Sequence, residues 1–209
     1  MIALWNTLFG RPSDDPEARC YARLAVQARR SEFYRWWGVP DTLDGRFELL
    51  ALHAFLVFHR LKRQGEDARR FSRRLFEVMV TDIDRSVRGP RLPEDGTWVP
   101  VRALARACNR RIHAYDCGLG VGGDGPGPDG GGTALVAALT GNLYGTVLVP
   151  ETVVLGMASY VGGAAAALVT QPLEQLLAGG VRFPEPPVPA RAPADRWWAG
   201  APKGKESLS

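Results

Sequence analysis

Three histidines and three cysteines are the side chains of this 209-residue chain best suited to hold a metal or carry a nucleophile. His113 and Cys117 stand one helical turn apart with Cys108 nearby, a spacing that supplies part of a tetrahedral metal site but no fourth ligand. His53 and His59, six positions apart, do not share a helix face, and neither HExxH nor CxxCH occurs. Serines, histidines and aspartates are present, yet no pattern sets a nucleophile on a strained turn or beside a base. Gly118-Leu119-Gly120-Val121-Gly122-Gly123 matches GxGxxG, but a dinucleotide site needs a strand before the glycines and a helix directly after them. Here a helical pattern precedes and more loop follows. The expected catalytic residues, metal ligands and cofactors are therefore none, and the chain reads as a binding protein.

The bulk numbers agree with that class. At 45% hydrophobic residues the chain can bury one sizeable core. Lys and Arg exceed Asp and Glu by 26 to 22, a formal charge of +4 spread along the chain, which is a mild bias toward anionic lipid or ribosomal RNA and gives no reason to expect DNA. Cys20, Cys108 and Cys117 form an odd set without a CxxC pair, which suits a reducing compartment. The apolar start at Met1 lacks a basic residue before it and meets Asp14, Asp15 and Glu17 at once, so it is read as neither signal nor transit peptide.

These residues must be positioned by helices. From Pro16 to Arg30, Ala18, Tyr21, Ala22, Ala25, Val26 and Ala28 recur at three- and four-residue steps. Phe47 to Leu61 is apolar nearly all round and is the expected central buried helix. Phe71, Leu75, Phe76, Val78, Met79, Val80, Ile83 and Val87 mark another helix, ended by Gly89-Pro90. A fourth runs from Val101 to about Cys117, and nine of the fifteen residues from Gly118 to Gly132 are then Gly. The pattern resumes near Thr133. The apolar stretch from Val147 to Val169 is interrupted by Pro150 and Glu151 and reads as a packed small-residue helix, with a last short helix at Leu173 to Leu177. The expected fold is an all-α, single-domain multi-helix bundle. It divides into an N-terminal arm (1–15), a helical domain (16–180) holding a Gly-rich flexible loop (118–132), and a disordered Pro-rich tail (181–209).

Two features stand out against this pattern. Asp82 projects between Phe71 and Leu75, where a carboxylate needs a partner, and His53, Arg60 and Arg46 on or before the preceding helix are the expected ones. The segment from Phe33 to Phe47 gathers four large aromatics before a turn, with acidic residues at a helix entrance. Pro40 stiffens the turn, and Asp41 or Asp44 is expected to accept from free helix N–H groups. Asp41, Asp44, Arg46, His53, Arg60 and Asp82 are thus grouped as a structural polar network. Tyr34, Trp36, Trp37, Val39 and Pro40 are grouped as a surface for an apolar partner.

The same residues carry a family resemblance. FYRWWGVPDTLDGRFELLALHAFLVFHRLK (Phe33 to Lys62) resembles the signature region of the ubiquinol–cytochrome c chaperone family, with its GVPDT-like turn, DGRF and LxxLH helix. RRLFEVMVTDIDRSVR (Arg73 to Arg88) and ALVAALTGNLYG (Ala134 to Gly145) are similar to further segments of that family. Gly89 to Gly96 and the glycine-rich stretch depart from its pattern. The resemblance implies an assembly chaperone for the respiratory cytochrome bc1 complex that binds newly made cytochrome b and needs no cofactor. It also implies a possible small partner protein and nearness to the ribosome. Lacking a transit peptide, the chain is expected to be a bacterial cytoplasmic member docked peripherally at the inner membrane. Two other readings compete: a ribosome- or RNA-binding adaptor using Arg69, Arg70, Arg73, Arg74, Arg110 and Arg111, and a peripheral membrane scaffold using Trp5, Phe9, Trp197 and Trp198 beside Arg196 and Lys203.

Overall fold

The computed structural model describes residues 15–88, 101–120 and 131–188, and these fold as an all-α bundle. In chain order the helices are α1 (Pro16–Ala28), α2 (Ser31–Arg35), α3 (Leu43–Leu61), α4 (Glu66–Arg88), α5 (Val101–Leu119), α6 (Gly131–Gly141), α7 (Glu151–Val169) and α8 (Leu173–Leu177). The N-terminal arm with Trp5 and Phe9, most of the glycine-rich stretch, and Arg196, Trp197, Trp198 and Lys203 lie outside the described residues.

Helix α3 forms the axis. Leu49, Leu52, Ala54, Phe55, Leu56 and Val57 point in different directions around it and all are buried, because α1, α4, α5 and α7 each pack against it. A helix apolar all round has no face to offer water, so its sequence demands this central place. Around the axis α1 packs on α4, α5 pairs with α6, and α6 leans on α7. Helix α1 begins with Asp15 in extended conformation and Pro16 at its first turn, a combination that starts helices without wasting an N–H. Its buried stripe consists of Cys20, Tyr21, Leu24, Ala25 and Ala28, while Val26 points outward. The stripe drawn through Val26 is corrected, since Leu24 takes its place in the buried row.

Helix α7 is long and apolar enough to cross a membrane by length and composition. In this fold it packs against α3 and α6 through Val153, Val154, Met157, Tyr160, Val161, Ala164 and Leu168, as the reading of a packed small-residue helix expected. Its outer side still carries apolar groups: Leu155 is 50% and Val169 66% exposed.

The domain boundary expected at residue 180 falls too early. Residues 181–188 form an extended strap held against the bundle, with Val181 buried and Phe183 packed on the core. Prolines in such a strap remove N–H donors but leave carbonyls that need partners. The core supplies them. The Gln27 amide donates to the Pro184 carbonyl at 2.9 Å and the Trp37 indole donates to the Pro187 carbonyl at 2.8 Å. The Gln171 side chain accepts from Arg182 N–H at 3.0 Å and donates to the Arg182 carbonyl at 2.7 Å.

Ending the chain after Gly180 is therefore expected to lower unfolding free energy by about 3 kcal/mol or more relative to a chain ended after Val188, from lost apolar burial and hydrogen bonds. Urea denaturation of the two truncated chains measures it. Equal midpoints would show that the strap contributes nothing.

Candidate functional site

The aromatic turn is built on the entrance of α3. Thr42 caps that helix, its hydroxyl accepting from the Gly45 N–H at 3.1 Å. The cap expected from Asp41 or Asp44 is thereby corrected: Asp41 instead accepts from the Arg46 guanidinium at 2.8 Å, and Asp44 lies exposed in the first turn, where its charge suits the helix N-terminus. The Asp41–Arg46 pair is about 60% exposed on both sides (59% and 61%), so water screens it and its contribution is small. Gly45 is required because a β-carbon there would collide with the Pro40 carbonyl.

Upstream, Phe33 is fully buried and meets His53 and Tyr160 edge-on, with centroids 5.4 and 5.2 Å apart. The Tyr34 hydroxyl donates to the Ala28 carbonyl at 2.7 Å, and its burial pushes the phenol up to about 12. Trp37 is fixed at three points. Its indole N–H is taken by the strap, its carbonyl accepts from the Tyr144 hydroxyl at 2.8 Å, and its ring lies against Gly156, where any β-carbon would intrude. Val39 is 2% exposed and its N–H donates to the Phe33 carbonyl at 3.1 Å. Val39 thus belongs to the core and is withdrawn from the partner-binding set. Trp36 differs from all of these. It is half-buried, and among the described residues its indole N–H has no acceptor. Pro40 is likewise half-buried at the turn.

The grouped polar network separates into independent pairs. Asp82 does not meet His53, Arg60 or Arg46. Helix α4 turns that side toward α1, and the Tyr21 hydroxyl donates to the Asp82 carboxylate at 2.5 Å. Burial, then this bond to the anion, pushes the Tyr21 phenol well above its usual range. Arg60 instead closes the end of α7, donating to the Leu168 carbonyl at 3.0 Å and the Gln171 carbonyl at 3.4 Å. A cation at the carboxyl end of a helix answers both the free carbonyls and the helix dipole.

His53 is fully buried. Its Nδ1 lies 2.7 Å from the Leu49 carbonyl, which can only accept, so Nδ1 carries the proton. Nε2 then accepts from the Tyr160 hydroxyl at 2.9 Å, and the Gln27 amide donates to that same oxygen at 2.9 Å. Phe183 closes the far side edge-on at 5.1 Å. Burial pulls the imidazole down to about 4, with the bond to Leu49 opposing it.

One strong pair escaped the sequence reading. Glu48 on α3 meets Arg111 on α5, whose Nε lies 2.6 and 2.7 Å from the two carboxylate oxygens and whose terminal nitrogen also touches the carboxylate. The guanidinium further sits 5.0 Å over the Phe47 ring. Side-chain exposure is 7% for Glu48 and 22% for Arg111, so this is an interior pair. Burial pushes the Glu48 carboxyl up while Arg111 opposes it. Arg111 is consequently unavailable to RNA. The signal was present: Glu48 interrupts an otherwise apolar helix, and Arg111 falls three residues after buried Cys108 and four before buried Tyr115.

Burial also quiets the interior thiols, raising Cys20 to about 12 and Cys108 to about 11. Cys117 lies 3.8 Å from the His113 ring on the exposed side of α5. Among the described residues no three His, Cys, Asp or Glu side chains are grouped to hold a metal. What the turn offers is a rigid aromatic surface with one indole left over, a chemistry of contact.

Comparison with known proteins places this geometry. A family profile described as ubiquinol-cytochrome C chaperone matches residues 35–183. The crystal structure of the Cbp3 homolog from Brucella abortus superposes with a TM-score of 0.70 at 28% identity, covering 88% of this chain and 97% of that one. No curated protein sequence matches.

Two outcomes follow from the buried groups. Arg111→Ala leaves Glu48 buried and unpaired and is expected to cost about 3–5 kcal/mol, whereas joint replacement of Glu48 and Arg111 by Leu recovers most of it. Urea denaturation of the single and double variants compares them, and a harmless single variant would remove the pair from the frame. His53 binds its proton more weakly folded than unfolded, so its contribution is present above pH 6.5 and is lost as pH falls from there toward 4. That loss amounts to about 3 kcal/mol. His53→Gln, which does not titrate, should fall less over that window, and parallel stability curves would show the histidine is not held neutral.

Proposed function

Because the chain belongs to the ubiquinol–cytochrome c chaperone family, we propose that it assists assembly of the cytochrome bc1 complex by holding newly made cytochrome b. The observation that carries this reading is the family match over residues 35–183, which spans most of the aromatic turn and all of α3. The structural neighbour over 88% of the chain supports the same class. Cytochrome b before assembly presents apolar helices, and a protein that shields them needs contact area and a slow release, with no reacting group. Trp36 is the anchor in this proposal. A large indole next to rigidly fixed neighbours offers area at little entropic cost, which is how aromatic hot spots act. Pro40, half-buried four positions on, is included. Tyr34 and Trp37 shape the platform from below, since their polar atoms are already taken.

The proposed location is the bacterial cytoplasm, peripherally against the inner membrane, where the client emerges. The uncharged outer residues of α7, Leu155 and Val169 among them, support such contact. A small partner subunit and the ribosome belong to the same proposal as implications of family membership alone.

The test is genetic and spectroscopic. Deleting the gene is expected to lower the haem b signal and the assembled complex in membranes. Trp36→Ser should do so partially while leaving the melting temperature within a few degrees, because the indole is half-exposed. A photo-crosslinker at position 36 should capture cytochrome b during synthesis. Normal cytochrome b spectra in the deletion strain would overturn the function, and normal spectra in Trp36→Ser alone would move the client site elsewhere.

A further inference from the structure

We propose that the groove between the end of α3, α4 and α5 is a docking site for an acidic amphipathic helix of a protein partner, separate from the aromatic turn. The groove is open to solvent and has a volume of about 790 Å³. Its floor is apolar: Phe58, Leu61, Phe76 and Ile112 line it, and the Phe58 and Phe76 rings lie 6.3 Å apart. Its rim is charged, and the charges do not balance. Lys62, Arg63, Arg69 and Arg73 line it with Glu66 and Glu77, and Asp116 pairs with Lys62 from beside it.

The internal pairing leaves that excess standing. Arg69 and Arg73 share one carboxylate, Glu66, at 3.4 and 3.2 Å, and all three side chains are more than half exposed. Lys62 is answered by Asp116 at 2.5 Å. Arg63 has no carboxylate partner among the described residues. Its backbone is also unusual, with φ of 66°, the left-handed region that residues with a β-carbon avoid at a cost of roughly 1–2 kcal/mol. Gly65 stands two positions on, so the chain turns here with an arginine where glycine would be easier. A left-handed residue just past a helix end is a common way to stop the helix, and here it places an arginine without a carboxylate partner at the edge of an apolar floor.

The form of the groove selects among anionic partners. An anionic bilayer surface would meet Glu66 and Glu77 on the rim. A nucleic acid would find two carboxylates on the rim and an aliphatic and aromatic floor suited to helix anchors. A helix with apolar residues at i, i+3, i+4 and i+7 and carboxylates beside them matches both layers, as in other helix-in-groove contacts. This inference does not depend on which client the aromatic turn holds.

The experiment uses the full chain and four probes in fluorescence binding. These are a synthetic amphipathic peptide of about five helical turns with Leu anchors and flanking Glu, its twin with every Glu changed to Lys, phosphatidylglycerol vesicles, and a short single-stranded RNA. The acidic peptide should bind saturably and weaken as salt rises. Arg63→Gly should weaken it about tenfold while melting no lower than the parent, because glycine relieves the left-handed strain. Ser72→Trp, which fills the groove, should abolish it. Equal binding of the Lys twin, tighter binding of vesicles or RNA with the same Arg63 dependence, or absence of peptide binding would each overturn the proposal.

Discussion

The enclosure of α3 sets the terms for everything around it. A helix surrounded by four others cannot leave a polar side chain unanswered, since an unpaired buried charge or imidazole costs more than the helix gains by packing. Glu48, His53 and Arg60 lie along its length, and α5 or α7 meets each of them. Glu48 near the start meets Arg111 of α5, His53 in the middle meets Tyr160 of α7, and Arg60 near the end meets the last carbonyls of α7. Apolar packing alone would tolerate rotation or sliding of the surrounding helices by a turn. These polar contacts do not, because each has one geometry in which donors meet acceptors. They act as register marks cut into a smooth cylinder.

The aromatic turn inherits its rigidity from those marks. Tyr160 is shared between His53 and Gln27, and Gln27 extends the chain of donors to the Pro184 carbonyl. Trp37 reaches the same strap three residues further on. Helix α1, the turn, α7 and the C-terminal strap are therefore closed into one loop of hydrogen bonds around Phe33. Loosening any of them loosens the platform under Trp36. A surface meant to hold an unfolded client at low entropic cost benefits from such a frame, since the partner alone must then be ordered.

Much of this was legible in the sequence, and the failures have physical causes. Helix ends followed from periodicity and punctuation, but starts did so less well: α3 begins at Leu43 and not Phe47, α4 at Glu66 before the first apolar residue of its stripe, and the short α2 carries no periodic signal of its own. What a single helix cannot reveal is which neighbour it faces. Asp82 was rightly placed on the inward side of α4, but that side looks toward α1, so a tyrosine answers it instead of a base on α3. Val39 looked like surface because its flanking residues suit a turn, yet the turn folds back and donates its N–H to Phe33. The prolines after Phe183 were taken as a bar to order. They bar regular structure only, and an extended segment without N–H donors is satisfied once core side chains reach its carbonyls. Glu48 interrupts an apolar helix as Asp82 does an apolar face, and its deeper burial makes a partner still more necessary.

The surfaces left over after this internal accounting differ in kind. At the turn, the polar atoms of Tyr34 and Trp37 are spent on the frame, and the Trp36 indole is left beside the exposed Asp41–Arg46 pair. At the groove beside the end of α3, polar atoms are what remains. One glutamate is divided between two arginines, and a third arginine sits in a backbone conformation that its side chain disfavours. A fold that can answer a glutamate, an imidazole and an arginine in its interior would lose little by placing one more carboxylate at an exposed rim. A cationic rim there and an outer side of α7 without charge beyond Glu151 distribute the two kinds of attraction to separate faces. On the proposed reading, an apolar client and a charged partner could then be held at once, neither competing for the other's contacts.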